Sequence, residues 1–271
     1  MEFAHVSRQD RLTYVFDLDG VVYRGDESQP HAAETISTLR RRGHIVHFLT
    51  NNSSLTRRAY ADKLVRLGIP ASMDEIMTSS YAAALYFVEN NAVGRTVYLI
   101  GQDGLVQELE AVGMRIVKDG DEPDAAIDYV VVGIDRHFTY DKLARAQSAI
   151  LAGAKFIATN EDLTFPAEGG KILPGNGSLV AAVRAATSVE PLVVGKPHDY
   201  ALLKILELTD TPRERAVIVG DNLATDIVVG NRAGIHTVLV LTGLTTREQA
   251  EAATGDMKPE RIIETLAELV T

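Results

Sequence analysis

Two carboxylates two residues apart follow the first apolar run of the chain, in the stretch YVFDLDGVVYRGD at residues 14–26. Side chains two residues apart on an extended chain project to the same side, so Asp17 and Asp19 are expected to point together. Gly20 then lets the backbone turn sharply, because glycine has no β-carbon. At such a position one carboxylate can act as a nucleophile while its neighbour serves as acid and base.

Three further groups of polar residues also follow apolar runs of strand length. They are Thr50-Asn51-Asn52 after HIVHFL, Gly195-Lys196-Pro197 after PLVV, and Gly220-Asp221-Asn222 after AVIV, with Asp226 four residues beyond Asn222. Carboxylate oxygens hold hard cations, whereas hydroxyl, amide and ammonium groups donate to anions. A free carboxylate surrounded by such groups suits phosphoryl transfer, which depends on positioning and charge neutralisation.

The elements that must position these groups alternate along the chain. Apolar runs of strand length separated by segments of helical period are typical of βαβ units and a parallel sheet. We predict strands at Thr13–Asp17, Ile45–Thr50, Ala216–Gly220 and His236–Leu241, with helices at Ala32–Arg42 and Arg57–Leu67. A second set comprises strands near Thr96–Ile100, Tyr129–Gly133 and Phe156–Thr159, and helices near Gly104–Ala111, Asp141–Ala152 and Ser178–Thr187. The chemical groups should therefore meet where parallel strands end, which is the ligand-binding edge of such sheets.

Composition restricts the class of protein. The chain has 271 residues, no cysteine and a net charge of −10, with 46% hydrophobic residues. Disulfides and cysteine nucleophiles or metal ligands are excluded, and the absence of a basic run argues against a nucleic-acid partner. No apolar run approaches a membrane span, and the N-terminal stretch lacks the apolar segment of a signal peptide. We therefore expect a cytoplasmic protein without a membrane partner.

In their order along the chain, DLDGVVYRG, TNN, GKP and GDNLATDI resemble the motifs of the haloacid dehalogenase superfamily of phosphatases, most closely its NagD-like, 4-nitrophenylphosphatase-like branch. The resemblance covers nearly the whole chain. It implies an α/β fold with a Rossmann-like parallel sheet core at residues 1–79 and 190–271. It also implies an inserted α/β cap at residues 80–189 and activity on small phosphate esters. Dimers formed through the cap occur in such relatives, and the sequence leaves the oligomeric state open.

The resemblance also implies roles for the four acidic residues. Asp17 would take the phosphoryl group as an aspartyl phosphate, and Asp19 would protonate the leaving oxygen and then deprotonate water. Mg²⁺ would be bound by Asp17, by the backbone carbonyl of Asp19 and by Asp221. Asp226 would support the waters bound to the metal or orient Lys196.

The remaining site residues are assigned to phosphate or substrate by the same resemblance. Thr50 and Asn51, with Asn52, would hydrogen-bond the phosphoryl oxygens, and Lys196 would neutralise them. The stretch TNEDLTFPAEGGKILPGNGSL resembles the substrate loop of the cap. The resemblance implies that Asn160 and Asp162, near the start of this loop, would face the substrate.

Each of these groups has a structural explanation when taken alone. Asp17 and Asp19 could form a turn that ends a strand, and Asn160 and Asp162 could equally be turn formers. Asp226 could complement the start of the helix that follows it. His198, close to Lys196, is more simply a solvated residue at a helix start than a substrate contact. The four motifs in family order outweigh these readings for the core residues.

Two other functions share parts of the pattern. A signalling receiver also phosphorylates an aspartate with Mg²⁺ and lysine, but it is far shorter and has no use for an acid and base at Asp19. A phosphomutase or another phosphotransferase could use the same core, and release of phosphate without isomer formation would separate it from a phosphatase. We expect a Mg²⁺-dependent phosphatase acting through an aspartyl phosphate.

Overall fold

A computed structural model describes residues 11–117, 126–166 and 171–271. In chain order its strands are β1 (Thr13–Phe16), β2 (Tyr23–Arg24), β3 (Glu27–Ser28), β4 (Ile45–Thr50), β5 (Ile76–Thr78), β6 (Thr96–Ile100), β7 (Arg115–Val117), β8 (Tyr129–Val132), β9 (Lys155–Ala158), β10 (Thr164–Pro166), β11 (Ile172–Pro174), β12 (Leu192–Val193), β13 (Ala216–Gly220), β14 (His236–Val240) and β15 (Arg261–Ile263). Its α-helices are α1 (Ala32–Arg41), α2 (Arg57–Arg66), α3 (Ser79–Glu89), α4 (Asp103–Ala111), α5 (Tyr140–Leu151), α6 (Asn176–Thr187), α7 (Tyr200–Leu208), α8 (Val228–Ala233) and α9 (Arg247–Ala252).

The described chain divides into two compact units. The first comprises the residues up to Thr50 together with Arg58–Met77 and Lys196–Thr271, and the second comprises Asn51–Arg57 and the described residues of Thr78–Gly195. Residues 1–10 of the predicted core and residues 167–170 of the predicted substrate loop lie outside the described residues. Among the helices that the structure describes, none combines the length and the apolar character needed to cross a bilayer.

The first unit contains a six-stranded sheet in the order β15-β14-β13-β1-β4-β5. β1 pairs in parallel with β13 on one side and with β4 on the other. Its four residues TYVF are all buried, as expected for a strand in a parallel sheet that is covered on both faces. The chain leaves β1 toward β4, and β13 returns on the opposite side, so the end of β1 is a switch point of the sheet, where ligands bind in folds of this kind.

Helices of the first unit cover this sheet with their apolar faces. Ile36 and Leu39 of α1 and Leu64 of α2 are buried in one cluster with Phe16 and Phe48 of the sheet. The helical spacing of three to four residues brings these side chains to one face. The predicted strands and helices of this unit are confirmed to within one residue at each end, and the α/β fold with a Rossmann-like parallel core is confirmed.

The second unit has its own parallel sheet, in the order β12-β9-β8-β6-β7. All four of these strand pairs are parallel. Val130 and Val132 of β8 pack in a second cluster with Ile150 of α5 and Val183 of α6. The strands and helices predicted for the middle of the chain are confirmed to within two residues. Two short hairpins, β2-β3 in the first unit and β10-β11 in the second, complete the described strands.

Candidate active site

Asp17 stands immediately after β1, at the switch point of the six-stranded sheet. Its backbone N–H donates to the carbonyl of Val219 at 2.9 Å, which continues the pairing of β1 with β13 by one residue. Its carboxylate accepts a hydrogen bond from the Lys196 ammonium at 2.6 Å. The structure thus pairs Asp17 with the lysine that follows β12.

Lys196 is buried, with an exposed fraction of 2%, and it links two carboxylates. Besides Asp17, its Nζ donates to Asp226 Oδ1 at 2.6 Å and to the Leu49 carbonyl at 3.3 Å. Burial alone would lower the pKa of Lys196, but the carboxylates of Asp17 and Asp226 raise it. The side chain is therefore held as an ammonium ion between the two acids.

Asp226 reaches Lys196 because of the turn that carries it. Residues Leu223–Ile227 form a single π-helical turn before α8, a local widening that is frequent at functional sites. Asp226 Oδ2 also accepts the backbone N–H of Asn222 at 3.2 Å. The Asp226 side chain lies so close to Gly220 that a β-carbon there would come within 2.1 Å of the Asp226 β-carbon. Glycine at position 220 is therefore a steric requirement of this arrangement.

Asp221, at the end of β13, is held by the loop that follows β14. Its Oδ2 accepts the backbone N–H of Leu244 at 2.7 Å, and its backbone carbonyl accepts the N–H of Thr245 at 3.2 Å. Glycines flank the carboxylate on two sides, since a β-carbon at Gly20 or Gly243 would come within 2.4 or 1.8 Å of Asp221 Oδ2. Burial and the Asp226 carboxylate raise the pKa of Asp221 to about 7.

Carboxylate oxygens of Asp17, Asp221 and Asp226 lie within 4.8 Å of one another. Burial raises the pKa of Asp17 well above its usual range; Lys196 lowers it, while Asp226 and Asp221 raise it further. One ammonium offsets only one of the three negative charges that these acids carry when ionised, and buried charge without a partner is costly. An all-oxygen donor set with excess negative charge fits a hard divalent cation such as Mg²⁺.

Asp19 lies in the tight turn that follows Asp17. The N–H groups of Val22 and Tyr23 both donate to the Leu18 carbonyl, and Gly20 has a φ of 86°, the left-handed region that favours glycine. Partial burial raises the pKa of the Asp19 carboxyl, while the charges of Lys63 and Arg24 lower it. Asp19 is nevertheless exposed as a whole residue.

Tyr60, on α2, interacts with residues that end β4 and follow β1. Its phenol is hydrogen-bonded to the Thr50 side chain, and burial together with the charges of Asp19 and Asp17 raises its pKa well above the usual range. Tyr60 and Thr50 are both buried, with exposed fractions of 2% and 6%. Sequence analysis missed this residue, because a tyrosine on the apolar face of a helix has the signature of an ordinary core residue.

Four predicted residues belong to the second unit, and three of them, Asn51, Asn160 and Asp162, contact one another. Asn51 Nδ2 donates to Asp162 Oδ2 at 3.0 Å, and Asn160 Nδ2 donates to the Asn51 carbonyl at 2.6 Å. Asn52 Oδ1 accepts both the backbone N–H and the hydroxyl of Ser54, at 2.8 and 2.7 Å, and so closes a local turn. The structure thus brings together two sets of predicted residues: the three acids with Lys196 in the first unit, and this polar group in the second. His198 is exposed.

Sequence comparisons and solved structures agree on the family. The sequence profile of the haloacid dehalogenase-like hydrolases matches residues 14–115, and a HAD-hydrolase-like profile matches residues 193–269. A 5′-nucleotidase from Bacillus subtilis is 42% identical over 258 residues, which are 95% of this chain and 96% of the relative.

Two solved structures are similar over almost the whole chain. A glycerol phosphate phosphatase from Mycobacterium tuberculosis in complex with magnesium is 36% identical with a TM-score of 0.88, over 96% of this chain and 77% of that chain. A 4-nitrophenylphosphatase from Thermotoga maritima is 35% identical with a TM-score of 0.87, over 96% of each chain. The chain therefore belongs to the haloacid dehalogenase-like hydrolases and is a phosphatase of their NagD-like, 4-nitrophenylphosphatase-like branch.

Proposed function

We propose that this phosphatase requires Mg²⁺ and hydrolyses small phosphomonoesters through an aspartyl phosphate on Asp17. The observation that carries the proposal is the cluster of Asp17, Asp221 and Asp226 around Lys196 at the end of β1. It combines a nucleophilic oxygen, an excess of negative charge for a hard cation and an ammonium group for a phosphoryl oxygen.

In the first step an Asp17 oxygen attacks phosphorus while the bond from phosphorus to the leaving oxygen breaks. Asp19 gives its proton to the leaving oxygen, so the product departs as an alcohol. In the second step Asp19 removes a proton from water, the water oxygen attacks phosphorus, and the bond between Asp17 and phosphorus breaks. The carboxylate of Asp17 and the acid form of Asp19 are restored, and inorganic phosphate is released.

The other residues neutralise the charge of the phosphoryl group and keep the reacting atoms in position during both steps. The Lys196 ammonium neutralises a phosphoryl oxygen and keeps Asp17 oriented through their hydrogen bond. Thr50 and Asn51, with Asn52, donate to the remaining phosphoryl oxygens. Donors that are already in place when the charge develops are worth more than donors that must reorganise.

Asp17, Asp221 and the backbone carbonyl of Asp19 would hold the Mg²⁺, and Asp226 would support it through its ligands. When bound, Mg²⁺ neutralises phosphoryl charge and aligns the phosphorus with the nucleophile. The protein contribution is a fixed set of oxygens, with Asp221 held by the Leu244 amide and Asp226 held by Lys196 and Asn222.

The proposed substrate class is the small phosphomonoester, such as 4-nitrophenyl phosphate, sugar phosphates, phosphoglycolate or nucleotides. Support comes from relatives whose names include a 5′-nucleotidase, an acid sugar phosphatase and a glycerol-3-phosphate phosphatase. A panel of such esters ranked by kcat/KM, with phosphate release as the readout, tests the proposal. Absence of phosphate release from every ester in the presence of Mg²⁺ contradicts it.

Removal of the metal gives the first prediction. A chelator should abolish turnover, and Mg²⁺ at about 100 times its Kd should restore it and stabilise the fold by about 2.7 kcal/mol. The physical reason is that the cation neutralises carboxylates that repel one another in the absence of metal. Thermal unfolding with and without Mg²⁺ measures the effect without reference to activity.

Asp221→Asn is the variant that tests this explanation. It should lose the rise in Tm with Mg²⁺, while its metal-free form should be at least as stable as metal-free wild type, because one of three clustered negative charges is gone. The matched control is Asp74→Asn, which makes the same change at an exposed position. A metal-independent Tm and full turnover in chelator for the wild type would contradict the metal assignment.

The second prediction concerns specificity. Asp162 is partly exposed and its carboxylate contacts the Asn51 amide, so we propose that it also meets the part of the substrate beyond phosphorus. Asp162→Ala should change the ranking of kcat/KM among esters with different alcohols. Glu161→Ala, which removes the adjacent carboxylate, should keep the ranking. An unchanged ranking for Asp162→Ala on the whole panel would make its role structural only.

A further inference from the structure

The backbone carbonyl of Asn51 is held by two buried side chains of the second unit. Ser79 Oγ donates to it at 2.6 Å and Asn160 Nδ2 donates to it at 2.6 Å. Ser79 has an exposed fraction of 1% and Asn160 of 4%. Two short hydrogen bonds on one buried carbonyl restrict the orientation of the Asn51 peptide strongly.

The Asn160 side chain is fully engaged inside the protein. Its second Nδ2 hydrogen reaches Thr159 Oγ1 at 3.3 Å, and its Oδ1 accepts the backbone N–H of Asp162 at 3.1 Å. Its own carbonyl accepts Asn176 Nδ2 at 2.7 Å. A primary amide has two donor hydrogens, so this geometry leaves Asn160 with no hydrogen to offer a substrate.

The residues after Asn51 are held in the same way. Ser80 Oγ donates to the Ser53 carbonyl at 3.1 Å, and Ser53 Oγ accepts the backbone N–H of Ile134 at 3.0 Å. The N–H of Gly104 donates to the Ser54 carbonyl at 3.1 Å. The backbone carbonyls of residues 51, 53 and 54 are therefore held by hydroxyl and amide groups of the same unit.

We infer that Asn160 is a positioning residue that fixes the Asn51 peptide together with Ser79, and that it does not bind substrate. The inference rests on the proposed function, in which Asn51 donates to the phosphoryl group. It replaces the expectation from the family resemblance that Asn160 faces the substrate. Because every phosphomonoester carries the same phosphoryl group, a fault in the Asn51 peptide affects all substrates equally.

Asn160→Ala should weaken the binding of inorganic phosphate in the presence of Mg²⁺ by about tenfold, which is the scale of one net hydrogen bond, because the Asn51 peptide loses one of its two restraints. It should lower kcat/KM for all esters of the panel by a common factor and keep their ranking. Ser79→Ala should reproduce both effects, although its side chain is buried. The double variant should lose less than the product of the two single effects, because both bonds restrain one carbonyl.

The matched control is Thr187→Val, which removes a buried hydroxyl bonded to the Val183 carbonyl in the same unit. It should lower Tm and leave phosphate affinity unchanged. If Ser79→Ala leaves phosphate affinity unchanged, or if both Asn160→Ala and Ser79→Ala reorder the substrates, the inference is wrong. If Asn160→Ala does not fold, Ser79→Ala carries the same test.

Hydrogen exchange separates this inference from the proposed function. The amides of residues 52–54 should exchange faster in Asn160→Ala and Ser79→Ala than in wild type and Thr187→Val, whatever the protein hydrolyses. Unchanged exchange overturns the positioning role. If exchange is faster but the wild type releases no phosphate from any ester, the proposed function fails and the structural role of Asn160 stands.

Discussion

Asp17→Asn should abolish turnover while the protein still folds and binds inorganic phosphate. The carboxamide has the volume of the carboxylate, but its oxygen and nitrogen are poor nucleophiles, so no aspartyl phosphate can form. We expect kcat to fall by at least about 10⁴-fold, the scale of effect seen when a catalytic nucleophile is removed. KM and the affinity for phosphate should change far less, because Lys196 and the residues after β4 remain.

The electrostatics of the cluster predict that this variant is not destabilised. Asp17 contributes one of three neighbouring carboxylates, and in the part of the chain that the structure describes one ammonium, that of Lys196, is paired with them. An amide oxygen at position 17 still accepts the hydrogen bond from Lys196, which keeps Asp226 as its charged partner. Loss of activity together with an unchanged or higher metal-free Tm therefore identifies a chemical role rather than a structural one.

Steady-state assays and intact-protein mass measurement on quenched reactions check this expectation. Wild type should show a species heavier by one phosphoryl group during turnover, and Asp17→Asn should not. The control is Asp74→Asn, the same substitution at an exposed carboxylate, which should keep wild-type kcat. Retention of a tenth of wild-type kcat by Asp17→Asn would show that another group attacks phosphorus.

The strands that precede Asp17 and Asp221 were predictable from the sequence for a simple physical reason. Buried parallel strands are continuous apolar runs, and both β1 and β13 end where a charged residue begins, at Asp17 and Asp221. Gly43 and Gly68 follow α1 and α2 with φ values of 92° and 79°, and glycine in this left-handed conformation is a common signal for the end of a helix. Local sequence patterns were therefore sufficient to predict the position of a residue wherever a single strand or helix determines it.

Positions that depend on partners distant in sequence were not predictable. The run PLVV reads as a strand, but no local pattern shows that Leu192–Val193 pairs with β9 in the sheet of the second unit. The Leu244 amide that holds Asp221 is a backbone group, so no side-chain motif in the sequence marks it. The two hydrogen bonds on the Asn51 carbonyl also escape a search for side-chain motifs, because the acceptor is a backbone group.

Asp19→Asn should separate the two chemical steps that the nucleophile undergoes. General acid–base catalysis is worth about 10²- to 10⁴-fold, and Asp19 is proposed to act as the acid in the first step and the base in the second. An asparagine can do neither, while the turn made by Leu18 and Gly20 does not depend on the Asp19 carboxyl. The loss of rate in the first step should then depend on the leaving group, whereas the loss of rate in the second step should not.

With 4-nitrophenyl phosphate the leaving phenolate needs little protonation, so the first step should proceed at nearly the wild-type rate in Asp19→Asn. Hydrolysis of the aspartyl phosphate should still be slow, because water is no longer deprotonated. A burst of nitrophenol approaching one equivalent per active site should therefore precede slow turnover, with the phosphoryl group retained on Asp17. With an alkyl phosphate such as glycerol phosphate, the poor leaving group makes the first step slow as well, and the burst should disappear.

Rapid-quench measurement of product and of phosphorylated protein tests this difference between esters. Asp26→Asn is the matched control, because this carboxylate lies seven residues further along, between β2 and β3, with its side chain 87% exposed. This variant should behave like wild type with both esters. If Asp19→Asn gives no burst with the aryl ester and loses the same factor on aryl and alkyl esters, Asp19 is not the shared acid and base. The raised pKa of its carboxyl would then reflect burial alone, and its contribution to the site would be confined to its backbone carbonyl.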